Sequence, residues 1–121
     1  MPKLQRVAQD RPYRVEAYEF VMRALDFTLS NLDELRHVSG VELLDGIRQF
    51  AIEEFGPLAK HVLNHWGVFS TRDFGEIVFD LVAQGVLAKT DEDRIEEFDE
   101  RFDFRLEFEL QYYRGHPITR R

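Results

Sequence analysis

The 121-residue sequence contains no cysteine. Disulfides, thiolate zinc sites and thiol catalysis are therefore excluded. No apolar run approaches the ~18 residues needed to span a bilayer, and the opening MPKLQRVAQDRP lacks the apolar stretch of a secretory signal. Together these omissions predict a soluble, cytoplasmic chain with no membrane partner. The seven glycines do not gather into a loop that could cradle phosphate; most stand where helices are expected to end. Basic residues are scarce, with 16 Lys/Arg against 23 Asp/Glu and a net charge of −7. The imbalance is concentrated in residues 91–109, which carry three basic residues against ten acidic ones. A surface of this sign repels polyphosphate, so the chain has no electrostatic footprint for nucleic acid or anionic lipid. An acidic stretch ordinarily forms a solvated face.

Apolar material, by contrast, is plentiful. Hydrophobic residues make up 44% of the chain and eleven are Phe, enough for a single domain (1–121) to bury a core without staples. Asp10-Arg11-Pro12 reads as a cap followed by a first-turn proline. Tyr18, Val21, Met22, Leu25, Leu29 and Leu32 follow at helical spacing and predict a first helix over roughly 13–30. SNLDELRHV (30–38) breaks the pattern as a connector. Ser39 and Glu42 form an S-x-x-E capping box with Val38 and Leu43 at the staple positions. The helix they start carries Leu43, Leu44, Ile47, Phe50, Ala51 and Phe55 inward and stops at Gly56. Pro57 opens a short helix with Leu58, Ala59, Val62, Leu63 and Trp66 inward and Gly67 as its stop.

The tripeptide Asp73-Phe74-Gly75 has the letters of a kinase magnesium loop, but no Gly-rich strand, strand Lys or HRD loop accompanies it. Ser70 with Asp73 instead makes a second capping box, with Phe69 and Phe74 as its staple. Phe74, Ile77, Val78, Leu81 and Val82 then lie on one helix face, ended by Gly85. Residues 39–85 thus predict a helix-turn-helix core. GVLAKTDEDRIEEF reads as two β-prone segments around a polar turn at Thr90–Asp93, which makes the fold mainly α (α+β) and winged-helix-like. It comprises about four helices, a hairpin or wing with the C-terminal segment over 86–113, and a frayed tail over 114–121. From Phe102 to Tyr112 strict alternation favours a strand; Asp103 as cap with Phe104/Phe108 at i, i+4 supports a short helical extension instead.

The segments RHVSG, ELL and GIR (within 36–48), FGPLAK (55–60), WG (66–67), DFGEIVF (73–79) and LAKT (87–90), in that order, resemble a family of short bacterial proteins, the Planctomycetes–Verrucomicrobia conserved hypothetical proteins. The resemblance implies a bacterial protein and assigns no activity or site residues. The alternating C-terminal stretch departs from that family's pattern.

Chemistry-bearing constellations are few. His61 and His65 have the i, i+4 spacing of a zinc pair, but no internal Glu makes HVLNH a metalloprotease motif, and no metal or other cofactor is expected. The paired carboxylates lie on exposed faces, where nothing separates their pKa values for acid–base catalysis. Arg72, Glu76, Phe79 and Asp80 occupy the solvent side of the helix that would enter DNA in a winged helix. Two carboxylates there oppose phosphate and base contacts, whereas an off-face Phe beside acidic groups suits docking of a protein. A further element of the chain covering Phe79 is the simpler alternative. Arg36 and His37 precede a helix N-terminus and form a candidate anion site with the N–H groups of residues 40–42, unless Arg36 pairs with Asp33 or Glu42. The function expected is a non-catalytic protein-binding adaptor or regulator. The alternatives are a winged-helix DNA-binding regulator acting as a dimer and a small enzyme of unknown class.

Overall fold

The computed structural model describes residues 2–90 and 93–110. Among the described residues five α-helices follow one another: α1 (Pro2–Ala8), α2 (Val15–Ser30), α3 (Gly40–Phe55), α4 (Ala59–His65) and α5 (Thr71–Ala83). A 3-10 turn at Gly56–Leu58 joins α3 to α4, a second 3-10 turn spans Ile95–Phe98, and a π-helical stretch spans Leu106–Leu110. The mainly helical class holds. Among the described residues no helix is long and apolar enough to cross a membrane.

Helix ends follow local chemistry closely. At the start of α3 the Ser39 hydroxyl accepts the Glu42 N–H at 3.1 Å while Glu42 Oε1 accepts the Ser39 N–H at 3.0 Å, a reciprocal box. The ends of α4 and α5 share one geometry. Val68 N–H reaches Leu63 O and Gly67 N–H reaches Asn64 O; Val86 N–H reaches Leu81 O and Gly85 N–H reaches Val82 O. These are the paired bonds of a Schellman stop, with Gly67 (φ 91) and Gly85 (φ 76) in the left-handed position. Gly67 is doubly constrained, because an added Cβ would lie 2.5 Å from Pro12 O.

Phe20 of α2 stands at the centre of the core, with its ring 5.4 Å from Phe50, 5.6 Å from Phe55, 5.8 Å from Trp66 and 6.4 Å from Phe74. Four helices thus meet around one aromatic side chain. The pairing of α2 with α3 is the most extensive, and small residues make it close: Ala24 and Thr28 are buried, and a Cβ at Gly46 would meet Thr28 Oγ1 at 1.8 Å.

Several expectations are corrected. Residues 2–8 form a helix whose Leu4 and Val7 are buried against the core. Asp10-Arg11-Pro12 does not open α2; Asp10 is left-handed (φ 62) and the N-cap is Arg14. Tertiary contacts fix this bent segment instead: Arg14 N–H donates to Trp66 O at 3.1 Å, and the buried Tyr13 donates to Asp73 Oδ1 at 2.7 Å. Leu58 falls in the 3-10 turn and is 61% exposed. Phe69 is exposed, so the capping box of α5 lacks its staple.

The expected hairpin is absent among the described residues, which contain no strand; Asp91 and Glu92 of its polar turn lie outside them. In place of a wing, the 95–101 segment straps the α5 N-terminus. Phe98 is buried, and a Cβ at Gly75 would stand 2.8 Å from its Cβ. The buried Thr71 hydroxyl donates to Phe98 O and accepts Arg101 N–H at 3.0 Å. An acidic segment poor in β-branched residues gains more from burying Phe98 than from pairing with itself. The strand favoured over 102–112 is likewise replaced, as far as the described residues reach. Asp103 Oδ1 accepts Leu106 N–H at 3.0 Å, and Phe104 and Phe108 are both buried with rings 5.2 Å apart. Among the described residues no strand stands beside this segment to complete a ladder, so the cap and the i, i+4 pair decide. The proposed tail, 114–121, lies outside the described residues.

Candidate functional site

A cleft of about 240 Å³ opens between α2, α5 and the chain entering α3. Leu25 and Leu29 come from α2, Val38 and Leu43 from the start of α3, and Val78, Phe79 and Val82 from α5. Residues 87–89 and the 93–98 strap close its far side. Both Leu25 and Leu29 are half-buried because they face this space rather than the α2–α3 crossing, which the smaller Ala24 and Thr28 occupy.

The rim is charged but largely paired. Arg36 grips Glu42 with both terminal nitrogens, at 3.0 and 2.7 Å, and donates to His37 O at 3.1 Å. The Arg36 hydrogen bond, followed by the Ser39 N–H, holds the Glu42 carboxyl down at about 2, and Glu42 raises Arg36 in turn. His37 Nε2 lies 2.8 Å from Asp93 Oδ2, which also accepts Thr90 N–H at 2.8 Å. That contact ties the loop before α3 to the loop after α5 at the mouth of the cleft. Glu97 differs from the other rim acids. Its Oε1 is buried and has no hydrogen-bond partner. It lies close to Gly40, where an added Cβ would come within 2.8 Å of it.

The residues singled out on α5 separate into two groups. Phe79 is half-buried, packs partly on the core and lines the same cleft as Arg36 and His37. Glu76, Asp80 and Arg72 belong elsewhere. Arg11 reaches Asp80 at 2.9 Å and Glu76 at 3.2 Å. Tyr18 donates to Asp80 Oδ2 at 2.7 Å, and Arg72 pairs with Asp99 at 2.8 Å and with Glu76 at 3.5 Å. Consecutive helix positions differ by about 100°, so Phe79 and its neighbour Asp80 serve different surfaces. Burial, followed by the bonds to Asp73 and Asp80, pushes the Tyr13 and Tyr18 phenols well above the ordinary value. Hydrogen bonding to Asp80 raises Arg11, and hydrogen bonding to Asp99 raises Arg72.

Asp73-Phe74-Gly75 is architectural at each position. Asp73 Oδ2 accepts Phe69 N–H at 2.8 Å and Ser70 N–H at 3.2 Å, Phe74 is buried, and Gly75 leaves the space that Phe98 fills. His61 and His65 are both exposed. Among the described residues, no group of three or more His, Asp or Glu is placed to hold a metal ion.

On sequence, Glu97 pairs with Glu96 on an exposed face and Asp93 is only the end of a polar turn; the structure half-buries Glu97. Both sit in an acidic run where nothing local distinguishes a buried carboxylate from its solvated neighbours. Leu25 and Leu29 were legible as an i, i+4 apolar pair, though not as cleft walls. No protein-family model, no curated protein and no solved structure matches this chain.

Proposed function

We propose that the protein is a non-catalytic adaptor or regulator that binds another protein through the cleft between α2, α3 and α5. The observation that carries this reading is the placement of Phe79. It is a half-buried aromatic in an apolar recess with a rim of charged groups, the core-and-rim arrangement of a protein interface. A cytoplasmic location and membership in the bacterial family that the ordered segments of 36–90 resemble belong to the same proposal.

The winged-helix DNA reader and the small enzyme have less to support them. The α5 surface that would face a duplex is occupied by the Arg11–Glu76–Asp80 network, and the 98–101 strap crosses its N-terminus. The ion pairs at the cleft rim hold its charged groups to each other.

The test is kinetic. A partner recovered with immobilised protein is measured against wild type, Phe79→Ala and Glu96→Lys. Loss of a buried aromatic speeds dissociation, whereas reversal of an exposed charge acts on association rate and its salt dependence. Glu96 is chosen because it is exposed, whereas Asp80 holds Tyr18 and Arg11. A partner whose dissociation ignores Phe79→Ala, or tight wild-type binding of one duplex in mobility-shift titrations at low and moderate salt, refutes the reading.

A further inference from the structure

We infer that the group this cleft receives is an alkylammonium, the side chain of a lysine on the partner, with the Glu97 carboxylate as its acceptor once the side chain turns Oε1 out to the cleft. The inference rests on the cleft being the docking site. It starts from the one buried side-chain oxygen among the described residues that has no hydrogen-bond partner. A buried acceptor left unpaired is costly, and a carboxylate oxygen more so than a neutral one. A donor brought by a ligand removes that cost, and a cationic donor removes most of it.

The chain's own cations at the cleft are directed elsewhere. Arg36 is held by both oxygens of Glu42, His37 faces Asp93, and the exposed Lys89 directs Nζ to Thr90 O at 3.4 Å. The α3 N-terminus beside Glu97 compensates part of its charge through the helix dipole without supplying it a hydrogen bond. Apolar walls from Leu25, Leu29, Phe79 and Val82 suit a methylene stem rather than a hydrated ion. Size narrows the ligand further: about 240 Å³ falls below the roughly 300–1,000 Å³ of sites for drug-sized molecules, and suits one inserted side chain. The strap carrying Glu97, residues 95–101, holds four acidic residues against one basic, a sign that draws a basic partner.

The experiment uses the full chain and NMR titration of backbone amides with hexylamine, hexanol, hexanoate and the peptide acetyl-Leu-Lys-Leu-amide. Hexylamine is expected to bind roughly tenfold more tightly than hexanol, the gain of a charge-assisted hydrogen bond, with shifts centred on Gly40, Phe79 and Phe98. Glu97→Gln lowers hexylamine affinity to that of hexanol and leaves hexanol unchanged. The peptide binds more tightly than hexylamine and with the same dependence on Glu97. Equal binding of hexylamine and hexanol by wild type overturns the role of Glu97 while the cleft remains a docking site. Hexanoate binding tightest overturns it in favour of Arg36, His37 and Lys89 as an anion mouth. Hexylamine outcompeting the peptide overturns the lysine as source, and no shift at the cleft with any probe overturns both the inference and the docking site. The wild-type ranking of the probes decides even if Glu97→Gln fails to fold.

Discussion

Asp73 does more than the residue it caps with. One oxygen serves the two backbone N–H groups ahead of α5, and the other accepts the buried Tyr13 phenol from the far end of the chain. Ser70, its partner in the box, has its hydroxyl 3.5 Å from the same carboxylate. The two halves of the box are therefore unequal. Ser70→Ala should cost about 1 kcal/mol or less, the ordinary value of an N-cap. Asp73→Ala should cost roughly 2–3 kcal/mol, because it removes the cap and strands a buried hydroxyl. Urea denaturation of both variants checks the order, and equal losses would show that Tyr13 gains nothing from Asp73. The capping role was legible from S-x-x-D and an apolar run. The Tyr13 bond was not, because sixty residues separate the partners and no local pattern links them.

At the scale of elements, α2 shows how periodicity locates a helix and finds only part of its buried face. Of the stripe read from spacing, Tyr18 and Val21 are fully buried, whereas Met22, Leu25, Leu29 and Leu32 are only half-buried. The buried face also includes Ala17, Phe20, Ala24 and Thr28, of which Phe20 packs on Phe50 and Phe55 of α3 and Thr28 faces Gly46. Close helix approach selects for small side chains, which carry little hydrophobic signal. Gly46 makes the case testable. Gly46→Ala brings a methyl to 1.8 Å from Thr28 Oγ1, and should destabilise the fold by about 1–3 kcal/mol, as overpacking does. Thr28→Ala removes that oxygen but leaves a Cβ 3.0 Å away, so the double variant should recover only part of the loss. A thermodynamic cycle from chemical denaturation measures the coupling. Full additivity would place the α2–α3 crossing elsewhere. The C-terminal element carries the same lesson: alternation from Phe102 to Phe108 fits a strand, but a strand needs a neighbour, whereas Asp103 and the Phe104/Phe108 pair supply a helical turn from within.

For the whole molecule, the shifted groups contribute to stability at both ends of the pH scale. Tyr13 and Tyr18 titrate above their ordinary value of 10.0 when folded. Their contribution is complete below about pH 10, the unfolded value, and is lost as pH rises beyond it toward the folded values. Glu42 lies on the opposite limb. Its folded pKa of about 2, against 4.5 ordinarily, gives stability that is present above 4.5 and lost as pH falls toward 2. Thermal midpoints measured from pH 2 to 11 should therefore fall at both ends. Glu42→Gln should lessen the acid limb, and Tyr18→Phe should remove part of the alkaline one while Tyr13 supplies the rest, each leaving the other limb unchanged. An acid limb that persists undiminished in Glu42→Gln would remove the Arg36–Glu42 pair from the account.

The sequence alone determined the helical class, the starts of α3 and α5, the stops at Gly67 and Gly85, and the absence of thiol chemistry. All of these depend on residues within a few positions of one another, where capping, periodicity and glycine conformation act directly. Tertiary structure decided what the acidic 93–101 segment becomes, because the notch at Gly40 and Gly75 that admits Phe98 exists only once α3 and α5 are packed. It also decided that Arg11 pairs with both Glu76 and Asp80, and that Phe79 shares a cleft with Arg36, His37 and Glu97. Residues that far apart in the chain meet through packing, and the free energy that brings them together is the burial of the Phe20 and Phe98 clusters rather than any preference the segments carry themselves.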